Sequence, residues 1–229
     1  AAEWRLVIED GESGSTRELR TGFLLMCAGY YRYDRAHTPE YPGREAYRGT
    51  FIHPQFWPED LDYRGKRVVV IGSGATAMTL VPALAEQAQQ VVMLQRSPTW
   101  VISRPARDRL ANALRVLLPD TWAYALTRWK NTALQQWFYH RSRAAPGKVG
   151  RVLLRRVRRA LGPDYDVERH FTPRYDPWDQ RLCLVPDGEL FDALKGGGAR
   201  VVTDTIERFT ETGIRLASGE ELPADIIVS

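Results

Sequence analysis

Residues Arg67 to Ile71 read RVVVI and run directly into Gly72-Ser73-Gly74-Ala75-Thr76-Ala77. A run of β-branched aliphatics has no polar face, so it must be covered on both sides, as strands of a parallel sheet are. A helical pattern follows from Thr76 to Gln87 and continues past Pro82. A Gly-x-Gly turn between a strand and a helix is the context in which a dinucleotide fingerprint carries meaning. Gly72 permits the tight turn, and Gly74 lets the backbone approach a pyrophosphate. Ala77, in place of a third glycine, still allows close helix–strand packing. The free N–H groups of the first helical turn and its partial positive charge suit phosphate. Gly72, Ser73, Gly74, Ala75, Thr76 and Ala77 are therefore the expected cofactor-binding turn.

Gln90 to Gln95 (QVVMLQ) is the second parallel strand, and its end decides which nicotinamide cofactor fits. An NAD site carries Asp or Glu roughly twenty residues past the turn, bonded to the ribose 2′-hydroxyl. Here the chain reads Gln95-Arg96-Ser97-Pro98-Thr99, with no acid to repel a 2′-phosphate. Arg96 offers a charged fork suited to that phosphate, and Ser97 or Thr99 can add hydroxyl donors. NADPH is expected over NADH; the alternative is that Arg96 is an ordinary surface arginine.

On either side of this unit the chain repeats one grammar. Trp4 to Ile8, a turn at Asp10-Gly11 and Leu19 to Met26 read as strands that end in a buried apolar run, FLLMC. Arg208 to Thr210, Ile214 to Leu216 and Ala224 to Ser229 read the same way and end in DIIVS. Each copy is expected to be a β-meander at the tail of a dinucleotide-binding half. Only the second copy has a glycine fingerprint upstream, so the chain reads as a piece of a longer protein whose first half is missing. Arg200 to Thr203 is a further parallel strand. From about 105 to 169 the pattern is helical and longer than a plain crossover, with Trp122, Trp129 and Trp137 close to one face as core or interface anchors. The expected fold class is α/β: a Rossmann-like doubly wound parallel sheet with a β-meander and a helical insertion.

Composition narrows the partners. Hydrophobic residues make up 44% and charged residues 26% of the chain, as in an ordinary globular protein, and no apolar run is long enough for a transmembrane helix. Cys27 and Cys183 lie in separate apolar runs and read as reduced packing residues of a cytoplasmic protein. No His/Cys cluster has metal-ligand spacing, so no metal is expected. From Arg141 to Ala160 there are eight Lys/Arg and no acid. The segment 148–161 is thus a basic amphipathic helix. It can dock on anionic lipid as a peripheral contact, or lay its apolar stripe on its own domain. No nucleic-acid partner is expected, because that reading explains nothing between Tyr30 and Trp100.

Upstream of the glycine turn, Tyr47 to Pro58 reads YRGTFIHPQFWP. This aromatic-x-Gly-x-x-x-His-x-x-x-Trp-Pro segment resembles the signature of type I Baeyer–Villiger monooxygenases: Gly49, His53, Trp57 and Pro58 match, and Tyr47 stands where phenylalanine is usual. The blocks MCAGYYRYD, VVVIGSGATAMTLVPALA, MLQRSPTW and YDPWDQRLCLVPDGELF resemble the ethionamide-activating group within that family. The resemblance implies an enzyme that uses FAD, NADPH and O₂ to oxygenate a small-molecule ketone to an ester, or a sulfide or thioamide to its S-oxide. It implies that residues 1–60 are the tail of the FAD domain plus the signature linker, and that 61–229 are the NADPH-binding domain. FAD is then not expected in this chain, which alone would be inactive. The active-site arginine of the family falls on Arg181, where a fixed guanidinium would stabilise developing negative charge; the alternative is a structural ion pair with Asp179 or Asp187. His53, Tyr47 and Trp57 read as linker packing. Two other functions stay open: an N- or S-hydroxylating flavin monooxygenase, and a non-catalytic NADP-binding module.

Overall fold

The computed structural model describes residues 3–29 and 32–229, so Tyr30 and Tyr31 of the quoted MCAGYYRYD block lie outside the described residues. The chain divides into two units, 1–37 and 38–229. In the first, β1 (Trp4–Glu9) pairs antiparallel with β2 (Thr16–Thr21). Their turn is closed by Asp10, whose Oδ1 accepts from the Ser13 N–H at 2.8 Å. The expectation of a buried strand reaching Met26 is not met. Strand structure ends at Thr21, Phe23 is 77% exposed, and Leu25 and Met26 are exposed as well. No strand among the described residues pairs with this run. An apolar run becomes a strand only where partners take its N–H and C=O groups and cover its side chains. Cys27 is likewise exposed rather than packed; Cys183 is buried, and both are free.

The second unit begins its strands with β3 (Thr50–Ile52) and β4 (Arg67–Ile71), followed by α1 (Ala75–Ala85) and β5 (Gln90–Gln95). Next come β6 (Trp100–Arg104), α2 (Arg109–Leu117), α3 (Asp120–Ala144), α4 (Pro146–Leu161) and α5 (Val167–Phe171). The chain continues through β7 (Leu182–Pro186), α6 (Glu189–Lys195) and β8 (Ala199–Thr203). It ends with β9 (Ile206–Thr210), β10 (Gly213–Leu216), β11 (Glu221–Pro223) and β12 (Ile226–Val228). Five strands form a parallel sheet in the order β3-β12-β4-β5-β8.

Alternation along the strands explains why their sequences are continuously apolar. Val68, Val70 and Met93 enter one core with Met78 and Val81 of α1, Val157 of α4 and Phe171 of α5. Val69, Val92 and Leu94 enter a second core with Phe209, Ile214 and Leu222. Helices therefore cover one face, and the β9–β10–β11 meander covers the other. At the amino edge of the sheet Arg67 and Asp225 clamp β4 to β12, with Nη2–Oδ1 at 2.7 Å and Nε–Oδ2 at 3.1 Å. The Arg67 guanidinium holds the Asp225 carboxyl down at about 2.

The basic segment forms α4 as expected. Leu153, Val157 and Leu161 are buried, so its apolar stripe packs on its own unit. No helix among the described residues is long and apolar enough to cross a membrane. The tryptophans of α3 are not core residues: Trp122, Trp129 and Trp137 are 64–72% exposed. Of its 25 residues only Ala123 and Ser142 are buried. Small residues let the helix approach its neighbours, which leaves the aromatic face outward.

His170, at the end of α5, shares a hydrogen bond through Nδ1 with Thr203 Oγ1 at 2.8 Å, and the buried Gln95 amide donates to both Thr203 Oγ1 and the His170 carbonyl. Burial pushes the imidazole below its ordinary 6.5, with Arg169 adding to the effect. Between that lowered value and 6.5 the unfolded chain binds more protons than the folded one, so stability rises with pH across this window. It is fully present above 6.5 and declines as pH falls below it. Urea unfolding at several values between about pH 5 and pH 8 should show this slope, and His170→Gln should flatten it. An unchanged slope in His170→Gln would assign the pH dependence to other groups.

Candidate functional site: a glycine turn at the carboxyl edge of the sheet

Because all five strands run parallel, His53, Gly72, Arg96, Asp204 and Ser229 leave their strands at one edge. The strand order turns at β4, with β5 and β8 on one side and β12 and β3 on the other. Ligands of open α/β sheets bind at such a point.

The turn itself is tight. The Gly72 N–H donates to the Leu94 carbonyl at 2.8 Å, and Gly72 has φ 125°, a conformation that side chains rarely adopt. Gly74 precedes α1 with no side chain capping it, so a ligand can use the first-turn donors. Ala77 is buried against the sheet, while Ala75 and Thr76 are exposed. Ser73 is held from beneath: its hydroxyl bonds Thr99 Oγ1 at 2.9 Å and donates to the Ser97 carbonyl at 3.3 Å. The Cys183 thiol, which burial pushes up and so keeps protonated, donates to the Ser73 carbonyl at 3.8 Å.

Arg181 is brought to this turn from 107 residues further along the chain. Its Nη1 lies 2.8 Å from the place a Cβ on Gly74 would occupy. Neither suggested carboxylate pairs with it. Asp179 pairs with Arg143, and Asp187 accepts from the Ala106 N–H at 3.0 Å. A guanidinium beside a helix N-terminus faces a partial charge of its own sign. With no carboxylate partner for Arg181 among the described residues, the arrangement leaves positive charge that an anion could offset. The segment that carries Arg181 is anchored by two bonds: the Trp100 indole donates to the Tyr175 carbonyl at 2.8 Å, and the Tyr175 hydroxyl to the Arg181 carbonyl at 3.1 Å.

Arg96 and Ser97 are exposed at the end of β5, and Arg96 makes no ion pair among the described residues. The acid beside them just after β8, Asp204, instead accepts from the Thr205 and Ser218 N–H groups at 2.7 and 3.3 Å. Thr99 is buried and braces Ser73, so of the two hydroxyls only Ser97 is open to a ligand.

The signature residues lie beside the sheet rather than on the turn. Tyr47 is buried and its hydroxyl donates to the Ala224 carbonyl at 3.2 Å; burial, with Asp225 nearby, pushes its phenol up to about 12. Gly49 allows this close passage, since a Cβ there would lie 2.7 Å from the Asp225 carbonyl oxygen. His53 Nδ1 accepts from the Gln55 N–H at 3.1 Å and caps the 3-10 turn Pro54–Phe56. Trp57 packs partly buried on the helical core, and Pro58 follows it, also part-exposed. Trp100 and Tyr175 carry no signal of their own in the sequence, and Cys183 reads there only as a packing residue; their places at the site depend on where distant segments meet.

Residues 2–145, more than half the chain, match the family described as Flavin-binding monooxygenase-like. The chain belongs to that family. It is 53% identical over all 229 residues to the FAD-containing monooxygenase EthA of Mycobacterium tuberculosis, covering 47% of that protein. It is 50% identical over 228 residues to the probable FAD-binding monooxygenase AlmA of Acinetobacter baylyi, covering 45%. The chain thus spans about half the length of the relatives it matches. Among solved structures, an oxidised steroid monooxygenase bound to NADP has the same fold, with TM-score 0.71 and 21% identity over 99% of this chain and 51% of that one. OTEMO in complex with FAD and NADP gives TM-score 0.68 at 17% identity, over 93% of this chain and 48% of that one.

Proposed function

We propose that this chain is the NADPH-binding part of an FAD-dependent Baeyer–Villiger monooxygenase, one that oxygenates ketones to esters and sulfides or thioamides to S-oxides. The observation that carries the reading is Arg181 poised without a carboxylate partner over the Gly74 turn. The turn fits a dinucleotide: its backbone is open at Gly74, its helix is uncapped, and its surroundings are cationic. In this reading residues 61–229 are the NADPH-binding domain. Residues 1–60 are the tail of the FAD domain and the signature linker, which adds β3 to the sheet edge. Catalysis requires FAD held by parts of the protein beyond this chain.

NADPH supplies hydride and FAD supplies oxygen activation when they are bound. The residues here have simpler tasks. Gly72 to Ala77 offer backbone donors to the pyrophosphate, and Arg96 with Ser97 holds the 2′-phosphate. Arg181 keeps a fixed positive charge where negative charge on oxygen develops.

Calorimetric titration of the chain with NADP⁺ and NAD⁺ tests the assignment. NADP⁺ should bind more tightly, and Arg96→Ala should weaken it about tenfold, the size of one charge-assisted contact, while NAD⁺ is nearly unaffected. Equal losses for both nucleotides, or a preference for NAD⁺, would remove Arg96 from the 2′-phosphate site.

A further inference from the structure

Between α3, α4 and the β6–β7 pair lies a cavity of about 600 Å³, within the roughly 300–1,000 Å³ of small-molecule sites. Its lining is mainly aliphatic and aromatic. Leu153 is buried there, whereas Val152, Leu184 and Trp137 remain 45%, 52% and 64% exposed. Large apolar side chains left open around a hollow gain from any apolar body that displaces water from them.

Four cations line the same space, Arg104, Arg141, Lys148 and Arg156, and no carboxylate does. None of the four makes an ion pair among the described residues. Arg143 of α3 and Arg158 of α4 do pair, with Asp179 and Glu168, but neither lines the cavity. Like charges gathered around apolar walls repel one another through a medium less polar than water, and an anion placed among them relieves that repulsion. One wall also carries strain: Trp178 has φ 72°, and its indole nitrogen is buried without a partner. Such departures persist where the surroundings hold a site in shape.

We infer that this cavity binds a dissolved single-chain anionic amphiphile, such as a medium- or long-chain carboxylate. Its tail lies against Leu153, Val152 and Leu184, and its head group among Arg141, Lys148 and Arg156. A half-open cleft between helices and strands receives one chain. A bilayer surface would call for a convex apolar face instead. The inference is independent of the nicotinamide assignment, because it uses none of the residues of the glycine turn.

The test is titration of the whole chain with decanoate below its aggregation concentration, followed by calorimetry and tryptophan fluorescence. 1-Decanol and decyltrimethylammonium serve as neutral and cationic counterparts. Decanoate should saturate one site and bind at least about tenfold more tightly than decanol, because the charged head gains contacts that the alcohol cannot make. Lys148→Glu combined with Arg156→Glu, both at exposed helix positions, should abolish that preference while leaving decanol binding and the thermal unfolding midpoint in place. Trp137→Ala should weaken both ligands. Equal binding of decanoate and decanol would overturn the inference, as would absence of saturation. So would binding seen only with vesicles of anionic phospholipid, which would make the cationic rim a membrane contact.

Discussion

Replacing Gly74 with valine is expected to cut NADP⁺ affinity about a hundredfold, the effect of forcing a branched side chain into a close-packed contact, while the thermal midpoint hardly moves. The backbone does not oppose the change, since Gly74 has φ −81° and ψ −178°, which any residue adopts. The obstacle is space. A Cβ would already lie 2.8 Å from Arg181 Nη1, and the two methyl groups beyond it would fill the room above the uncapped helix. Arg181 has a flexible end and can swing away, which is why stability should survive. The pyrophosphate has no such freedom, because it must reach the same backbone. Comparing the double variant with Arg181→Ala alone separates the two effects. If the turn itself is the phosphate site, the valine still lowers affinity in the Arg181→Ala background. No further loss in that background would mean that the valine acted only by displacing Arg181. Calorimetry with NADP⁺ reads both outcomes. Wild-type affinity in Gly74→Val would place the dinucleotide elsewhere.

Gly49→Ala is expected to lower stability by about 3 kcal/mol, the upper range of overpacking at a site that cannot relax. Its Cβ would press on the Tyr47 hydroxyl and lie 2.7 Å from the Asp225 carbonyl oxygen. Neither neighbour can yield. The Asp225 carbonyl accepts from the Thr50 N–H at 3.0 Å, and its carboxylate is locked by Arg67. Tyr47 is wedged edge-on against Phe209 with ring centroids 6.1 Å apart. Tyr47→Phe removes only the hydroxyl and leaves the ring carbon Cζ 2.5 Å from the new Cβ, so Gly49→Ala should cost nearly as much in that background as alone. Urea unfolding of the four proteins completes the cycle. A Gly49→Ala protein as stable as the wild type would show that β3 can draw away from β12 without cost. The glycine of the signature is thus required by the strand packing, and no chemistry needs to be assigned to it.

What was legible in the chain was whatever one segment decides alone. Arg67 to Ile71 and Gln90 to Gln95 are apolar on both faces, so their burial in a parallel sheet follows from local composition. The strand–turn–helix order at Gly72 to Ala77 was legible for the same reason. The basic helix was legible as amphipathic, and its buried stripe of Leu153, Val157 and Leu161 falls at helical spacing.

Where partners decide, the same local signals misled. Phe23 to Cys27 is as apolar as β12, yet β12 lies between β3 and β4 while the earlier run has no strand beside it among the described residues. The tryptophans of α3 look like core anchors at their spacing, but the helix turns Ala123 and Ser142 inward. That the Thr99 hydroxyl meets the Ser73 hydroxyl is likewise a contact that only the fold creates.

By itself the sequence determined that β4 and β5 must be buried, where the chain turns through glycine, and that no acid directly follows the second of those strands. Only the tertiary structure decided that Arg181 stands over Gly74, that Asp179 is occupied by Arg143, and that four cations share one apolar hollow. The physical reason is range. Burial and turn geometry are set within a few residues, whereas the pairing of charges depends on segments a hundred residues apart being folded onto one another.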